Sequence, residues 1–316
     1  MIFDLLLSRG FKKAFGHRGD GLPTLAYPPI SSFGPKTKPF SFLSEGRRLY
    51  GEVAYPKDKP LGLIVFFHGL GAGYTAYSQE IAFYAEAGYL VYAFDYMGCM
   101  QSEGTGMGDL GHPLLDQRAF FAFLNGQDEA KGLSRYSVGH SWGGFLSCAA
   151  LLEPSFGVKA AVSFAGFYSI PDIVCHSAPA LRKSKAKVAR YFKKRYGEVG
   201  SLGLSDIAAI SQKPILYIQG DEDDVVPFSE NYKRLQGEKL PKGFVLLLSK
   251  GRGHQPYWVK ESYRYFLEVF EKGRPADFDR DPEYVVDYGK LQHDDPIIMG
   301  KTLAFIKEID KRDEAE

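Results

Sequence analysis

The stretch Tyr136-Ser-Val-Gly-His-Ser-Trp-Gly-Gly-Phe-Leu-Ser-Cys-Ala-Ala-Leu-Leu152 decides how this chain is read. A short apolar run, Tyr136–Val138, meets Gly139-His-Ser-Trp-Gly-Gly144 and passes at once into a helical pattern over Phe145–Leu152. A turn this sharp strains the backbone of Ser141 and pushes its hydroxyl clear of the sheet. Glycines two before and two after it remove side chains that would otherwise collide. With 35 Gly and 22 Ser in 316 residues, a Gly-x-Ser-x-Gly pattern arises by chance roughly 0.3 times in such a chain. The flanking strand and helix therefore carry the inference, not the motif alone.

Working outward, Leu63–Phe67, Leu90–Phe94, Ala160–Phe164, Ile215–Ile218 and Phe244–Leu248 are solid apolar runs. Helical spacing lies between several of them, at Tyr77–Gly88 and Leu114–Leu124. Strands apolar on both faces and alternating with helices predict an α/β fold, a mostly parallel twisted sheet covered on both sides. Phe40–Tyr55 reads as a hairpin turning at Glu45-Gly46. The alternation is interrupted at about 166–213 by a helical insertion. Within it Leu181-Arg-Lys-Ser-Lys-Ala-Lys-Val-Ala-Arg-Tyr-Phe-Lys-Lys-Arg195 puts Leu181, Val188 and Phe192 on one stripe among many cations. Residues 1–37, Gly/Pro-rich after an apolar start, read as an N-terminal arm lying on the body. Helices are expected at about Tyr257–Glu271 and Gly300–Lys311, separated by an irregular stretch, Arg274–Pro296.

Composition narrows the class. A hydrophobic fraction of 45% supports a large core, and 39 Lys+Arg against 38 Asp+Glu leave no whole-chain electrostatic footprint for nucleic acid. Cys99, Cys148 and Cys175 are three widely spaced thiols, so neither a disulfide framework nor a cysteine zinc site is expected. The first apolar run contains Asp4 and has no basic residue before it, a poor signal peptide. No stretch approaches the ~18 apolar residues of a membrane span. A soluble cytoplasmic protein is the simplest expectation.

Three further motifs sit at strand ends. Phe66-Phe-His-Gly-Leu-Gly-Ala-Gly73 lets backbone approach Ser141, so that the amide of Leu70, with that of Trp142, can face a developing oxyanion. It lacks the third glycine of a dinucleotide fingerprint, and no Gly-Lys-Ser/Thr follows. Gln219-Gly-Asp-Glu-Asp-Asp-Val-Val-Pro227 offers four acids in one turn, either a solvated loop or a cation site. The chain has no other cluster with ligand spacing, which argues against metal. Lys250-Gly-Arg-Gly-His254 places a histidine in a glycine-rich loop, within reach of a neighbouring strand's serine.

The order Ser141, an acid near 223, then His254 is that of an α/β-hydrolase triad. Over roughly residues 40–270 the chain resembles the α/β-hydrolase superfamily, nearest to the serine hydrolases grouped with monoglyceride lipases, lysophospholipases and serine aminopeptidases. His68-Gly69 matches the oxyanion-strand motif and Gly139-His-Ser-Trp-Gly143 the elbow. Gly220–Pro227 resembles the acid loop Gly-x-x-Asp-x-Val-x-Pro, an alignment that makes Asp223 the triad acid, with Asp221 and Asp224 as the alternatives. Asp95–Gly104 is similar to a structural loop of the family, departing at Cys99-Met100 where His-Gly is usual.

The resemblance implies one catalytic domain over 1–316, with 1–37 as its arm, 166–213 as a cap and 274–316 as a C-terminal extension. It further implies cleavage of small or lipid-like carboxylic esters through an acyl-enzyme on Ser141, with no cofactor. His68, Gly69, His140, Phe167 and Tyr168 are expected to border the substrate. The alternatives are amide hydrolysis, for which a basic cap offers no anchor for a free amine, acyl transfer, or a non-catalytic relative. The basic cap helix reads as a solvated lid face or as a weak contact for anionic lipid or substrate.

Overall fold

Alternation along the strands organises the molecule. In β3 (Gly62–Phe67), Leu63, Val65 and Phe67 point to one face of the sheet, and Ile64 and Phe66 to the other. The same division holds in β4 (Tyr89–Phe94), β6 (Val158–Phe164) and β7 (Ile215–Gly220), while β5 (Arg135–His140) turns Tyr136 and Val138 to the second face and packs Ser137 and Gly139 against the helix that follows it. A strand buried on both faces must be covered on both faces, which is why its sequence is a solid apolar run. The computed structural model describes residues 2–21, 25–71, 73–272 and 286–313.

With β1 (Lys36–Ser44), β2 (Arg47–Tyr55) and β8 (Phe244–Ser249), these strands form an eight-stranded sheet in the order β1-β2-β4-β3-β5-β6-β7-β8. From β4 to β8 the pairing is parallel, while β1 and β2 join as an antiparallel hairpin. The hairpin turns at Glu45 and Gly46, both with positive φ (47° and 75°), the geometry whose twist suits a two-residue connection.

One face is covered by α3 (Pro113–Asn125), α4 (Trp142–Ala149) and the helices inserted between β6 and β7. The other is covered by α2 (Ser78–Glu86) and by the last helix, whose Met299 and Ile306 are fully buried. Together these elements make the α/β architecture expected from the apolar runs, that of the α/β-hydrolase fold.

The insertion comprises α5 (Ile170–Ser177), a 3-10 turn (Pro179–Ser184), α6 (Lys185–Tyr196) and α7 (Leu204–Ser211). Val188 and Phe192 are fully buried and Leu181 packs against the same core, as the stripe predicts. The N-terminal segment differs from an irregular arm. Ile2–Phe15 is a helix, α1, because Phe3, Leu7 and Phe11 recur at helical spacing and Gly16 marks its end. Phe11 stacks on Tyr191 and meets Phe192 edge-on, at ring distances of 5.8 and 5.3 Å.

Further helices are α8 (Tyr232–Gln236), α9 (Lys260–Lys272), α10 (Tyr288–Leu291) and α11 (Pro296–Asp313). Helix α9 starts three residues later than expected, because Trp258 is held in an antiparallel bridge with Asp294. Helix α11 starts four residues earlier, since Pro suits the first helical position and Asp295 accepts from the Ile297 and Ile298 amides. Of the expected irregular stretch Arg274–Pro296, residues 274–285 lie outside the described residues. No helix among the described residues is long and apolar enough to cross a membrane.

Candidate active site

The site is assembled where β3, β5, β7 and β8 end. Beyond β5 the chain turns at Ser141, φ 57° and ψ −115°, directly into α4. The glycine requirement is literal. A Cβ on Gly139 would lie 2.2 Å from the Gly143 carbonyl oxygen, and one on Gly143 would lie 1.9 Å from that of Phe67. The Ser141 amide donates to the Phe164 carbonyl at 2.8 Å, which anchors the strained residue to β6. A helix leaves its first amides without intrahelical acceptors, so the N–H of Trp142 is available at the N-terminus of α4. The Leu70 amide, in the loop after β3, has no hydrogen-bond acceptor among the described residues.

After β7 the chain folds around Asp223. Its Oδ1 accepts from the Val225 and Val226 amides at 3.1 and 3.0 Å, and its Oδ2 from Gln219 Nε2 at 3.0 Å. Both oxygens lie 3.1 Å from His254 Nδ1. A carboxylate held this way only accepts, so Nδ1 carries the imidazole proton and Nε2 is left with its lone pair. Asp221 instead accepts from the Gly251 amide, which ties the acid loop to the histidine loop, and Asp224 is exposed. Of the three acids considered from sequence, Asp223 is the one that meets His254.

His140 links the parts. Its Nε2 lies 2.8 Å from the carbonyl of His254, and its Nδ1 lies 2.8 Å from the Tyr77 hydroxyl, which in turn accepts from the Gly69 amide at 3.0 Å. Burial, with the neighbouring His254 adding to it, pushes His140 well below its ordinary pKa, so the ring is neutral. A carbonyl can only accept, which fixes the proton on Nε2 and makes Tyr77 the donor to Nδ1. One directed chain of hydrogen bonds thus joins the loop after β3, the serine turn and the histidine loop. Nothing in the sequence distinguishes Tyr77 from nineteen other tyrosines, so it was not among the expected residues.

Ser141, His254, Gly69, Leu70, His140, Trp142 and Phe167 line one cavity of about 420 Å³. Its remaining wall is aromatic and aliphatic and includes Phe15, Tyr27, Trp258 and Tyr263. Phe15 comes from α1, within the expected N-terminal arm. Among the described lining residues there is no Asp or Glu.

Two residues expected to border the substrate are placed elsewhere. His68 is fully buried, with Nδ1 2.6 Å from the Gly69 carbonyl, Nε2 accepting from the Tyr96 amide and its ring stacked on Tyr96 at 3.8 Å. Burial pushes its pKa down to about 4, and the neutral ring braces the Gly69-Leu70 backbone. Tyr168 lies outside the cavity, its hydroxyl bonded to Ser205 and Glu238 and its ring under the Arg234 guanidinium at 3.4 Å.

The departure at Cys99-Met100 is accommodated in the loop after β4. Met100 adopts φ 43°, a conformation that suits glycine, and Arg18 from the segment after α1 donates to the carbonyls of Ser102 and Gly104 at 3.0 and 2.7 Å. No group of three or more His, Cys, Asp or Glu able to hold a metal occurs among the described residues. All three cysteines are buried and free.

The profile of the family described as serine aminopeptidase, S33, matches residues 58–212. That span holds the His68–Leu70 loop and Ser141 but ends before Asp223 and His254. A curated relative, the uncharacterized protein YfhR of Escherichia coli O157:H7, is 24% identical over 232 residues, 70% of this chain and 76% of its own. Among solved structures, the esterase Pf2001 of Pyrococcus furiosus superposes with a TM-score of 0.57 at 18% identity, covering 84% of this chain and 99% of that one. The α/β hydrolase GrgF of Penicillium sp. sh18 superposes with a TM-score of 0.52 at 14% identity, covering 78% of this chain and 98% of its own. The chain shares the α/β-hydrolase fold with these proteins.

Proposed function

We propose that this protein is a serine hydrolase that cleaves carboxylic esters through an acyl-enzyme on Ser141. The observation that carries the reading is the His254 imidazole, held at Nδ1 by both oxygens of Asp223, on the same cavity as the strained Ser141. In this reading His254 Nε2 takes the Ser141 proton as Oγ attacks the acyl carbonyl. Asp223 holds the tautomer and stabilises the imidazolium. The tetrahedral oxyanion lies against the amides of Leu70 and Trp142. The protonated His254 then donates to the departing alcohol, and a water deprotonated by His254 releases the acid.

Two features of the cavity favour esters over amino-terminal peptides. Removing residues from a free amino terminus calls for a carboxylate to hold the ammonium, and no acid occurs among the described lining residues. The aromatic and aliphatic wall suits an apolar acyl or alcohol group, whose burial contributes roughly 25 cal/mol per Å2 of apolar surface.

Ser141→Ala tests the reading directly. Hydrolysis of a short-chain aryl ester is expected to fall by about 10³-fold or more, with the fold intact by circular dichroism. Wild-type protein is expected to be labelled by a fluorophosphonate and the variant not. Substantial residual turnover, or labelling that survives the substitution, would place the nucleophile elsewhere.

A further inference from the structure

Helix α1 buries one face and leaves another bare. Leu7 and Phe11 point into the layer formed with α6, whereas Ile2, Leu5 and Leu6 are 76%, 53% and 59% exposed. These three fall at helical positions i, i+3 and i+4, and the same stripe continues through Arg9, Lys12 and Lys13. The outer face is therefore apolar over its first half and cationic over its second.

The neighbouring α6 extends the cationic part. Lys187 sits over the Phe3 ring at 5.5 Å, and Lys183, Arg190 and Lys194 are exposed beside it. None of these seven cations has an acidic partner among the described residues. Of the acids near this layer, Asp172 is held by Lys185, Glu198 by Lys193 and Asp109 by Arg195, while Asp4, the one acid on α1, lies near Tyr191. The whole chain carries a net charge of only +1, so the concentration of cations is local.

The bare apolar surface also reaches the cavity. Of the twelve large hydrophobic side chains exposed among the described residues, three are on α1 and three more, Leu70, Val225 and Leu267, stand at the cavity's edge. Phe15, on the last turn of α1, lines the cavity itself. Half of the exposed large hydrophobic side chains are thus gathered on one helix and on the cavity that this helix touches.

We infer that α1, with the cationic flank of α6, docks this protein on an anionic lipid surface. Ile2, Leu5 and Leu6 enter the boundary between headgroups and acyl chains, and the seven cations lie against lipid phosphates. An amphipathic helix with a cationic face binds in the interfacial plane by this combination of apolar burial and charge. A second copy of the chain does not fit the same surface, because a two-fold contact would bring these cations against themselves. A purely acidic soluble partner leaves the apolar half of the stripe unused. The inference does not depend on the chemistry at Ser141.

The test is flotation of the full chain with vesicles of phosphatidylglycerol and phosphatidylcholine at low ionic strength, beside vesicles of phosphatidylcholine alone. Partitioning to the anionic vesicles is expected to exceed that to the neutral ones by about tenfold or more and to weaken as salt rises. The double variant Leu5→Asp/Leu6→Asp changes only exposed positions. It is expected to lose about tenfold or more of the binding while retaining turnover of a soluble aryl ester. Lys12→Glu/Lys13→Glu is expected to weaken binding and flatten its salt dependence. Ser141→Ala is expected to float like wild type, whether or not Ser141 is the nucleophile. Failure to float, equal partitioning to neutral vesicles, or binding indifferent to the Leu5/Leu6 change would overturn the inference. Indifference of that kind together with complete displacement by polyglutamate would assign the surface to an acidic macromolecule instead.

Discussion

The edge of the sheet that carries Ser141 and the layer made by α1 and α6 are built on opposite rules. At the edge, several buried polar side chains are held by two or more hydrogen bonds and backbones pack against backbones. His140, His68 and Gln219 each make at least two hydrogen bonds, and Gly143 leaves no room even for a methyl group. In the layer, aromatic rings carry the packing, Phe11 lying 5.8 Å from Tyr191 and 5.3 Å from Phe192, and many of the polar groups are cations turned to solvent. Preorganised chemistry needs the first kind of construction, since a donor misplaced by an ångström loses most of its effect. A surface that meets something variable tolerates the second.

The largest break expected in the edge is Asp223→Asn. The amide keeps the shape but presents an N–H2 toward His254 and favours the wrong tautomer, so kcat should fall by about 10³–10⁴-fold. Asp221→Asn and Asp224→Asn are the controls. Either one matching the loss at Asp223 would mean that the wrong acid had been assigned, and steady-state kinetics on an aryl ester decides between them.

Next comes Tyr77→Phe, which removes the only hydroxyl joining the Gly69 amide to His140. Both ends lose a partner, and the loop after β3 is freed to drift relative to the histidine loop. A fall of about tenfold in kcat with KM little changed is expected, because the misplaced Leu70 amide acts on the transition state. A rise in KM alone would mean that Tyr77 touches substrate and does not position the loop.

How much of this was legible in sequence follows from the same contrast. The edge is written in local signals. Solid apolar runs mark β3, β4, β6, β7 and β8, and glycines stand wherever the backbone admits no side chain. The order of Ser141, the acid loop and His254 then singles out one topology. What stayed hidden there is long-range. Tyr77 and His140 are 63 residues apart, and no spacing announces their bond. Tyr168 follows β6 directly, yet its partners Glu238 and Arg234 lie about seventy residues away in sequence and hold it outside the cavity lining. In the other region, α6 was legible from its stripe. Helix α1 was not, because the Gly/Pro content of residues 16–37 masked a good helical pattern over residues 2–15.

The smallest effect on chemistry is expected on α1, which reaches the cavity through Phe15. Phe11→Ala deletes a ring that is 8% exposed and packed against Tyr191 and Phe192. It sits at the border of the core, so the loss in stability is expected near or below the low end for buried Phe truncations, about 2–3 kcal/mol. That loosens α1 and with it the wall that Phe15 contributes, but it touches none of the bonds around Ser141, Asp223 and His254. Turnover of a short aryl ester should then stay within about threefold of wild type, while KM for a long-chain ester rises as the apolar wall is lost. Amides of α1 should also exchange hydrogen faster than those of β5, which sits in the middle of the sheet. If Phe11→Ala abolished turnover of the short ester in protein still folded by circular dichroism, α1 would belong to the catalytic construction and the contrast between the two regions would fail.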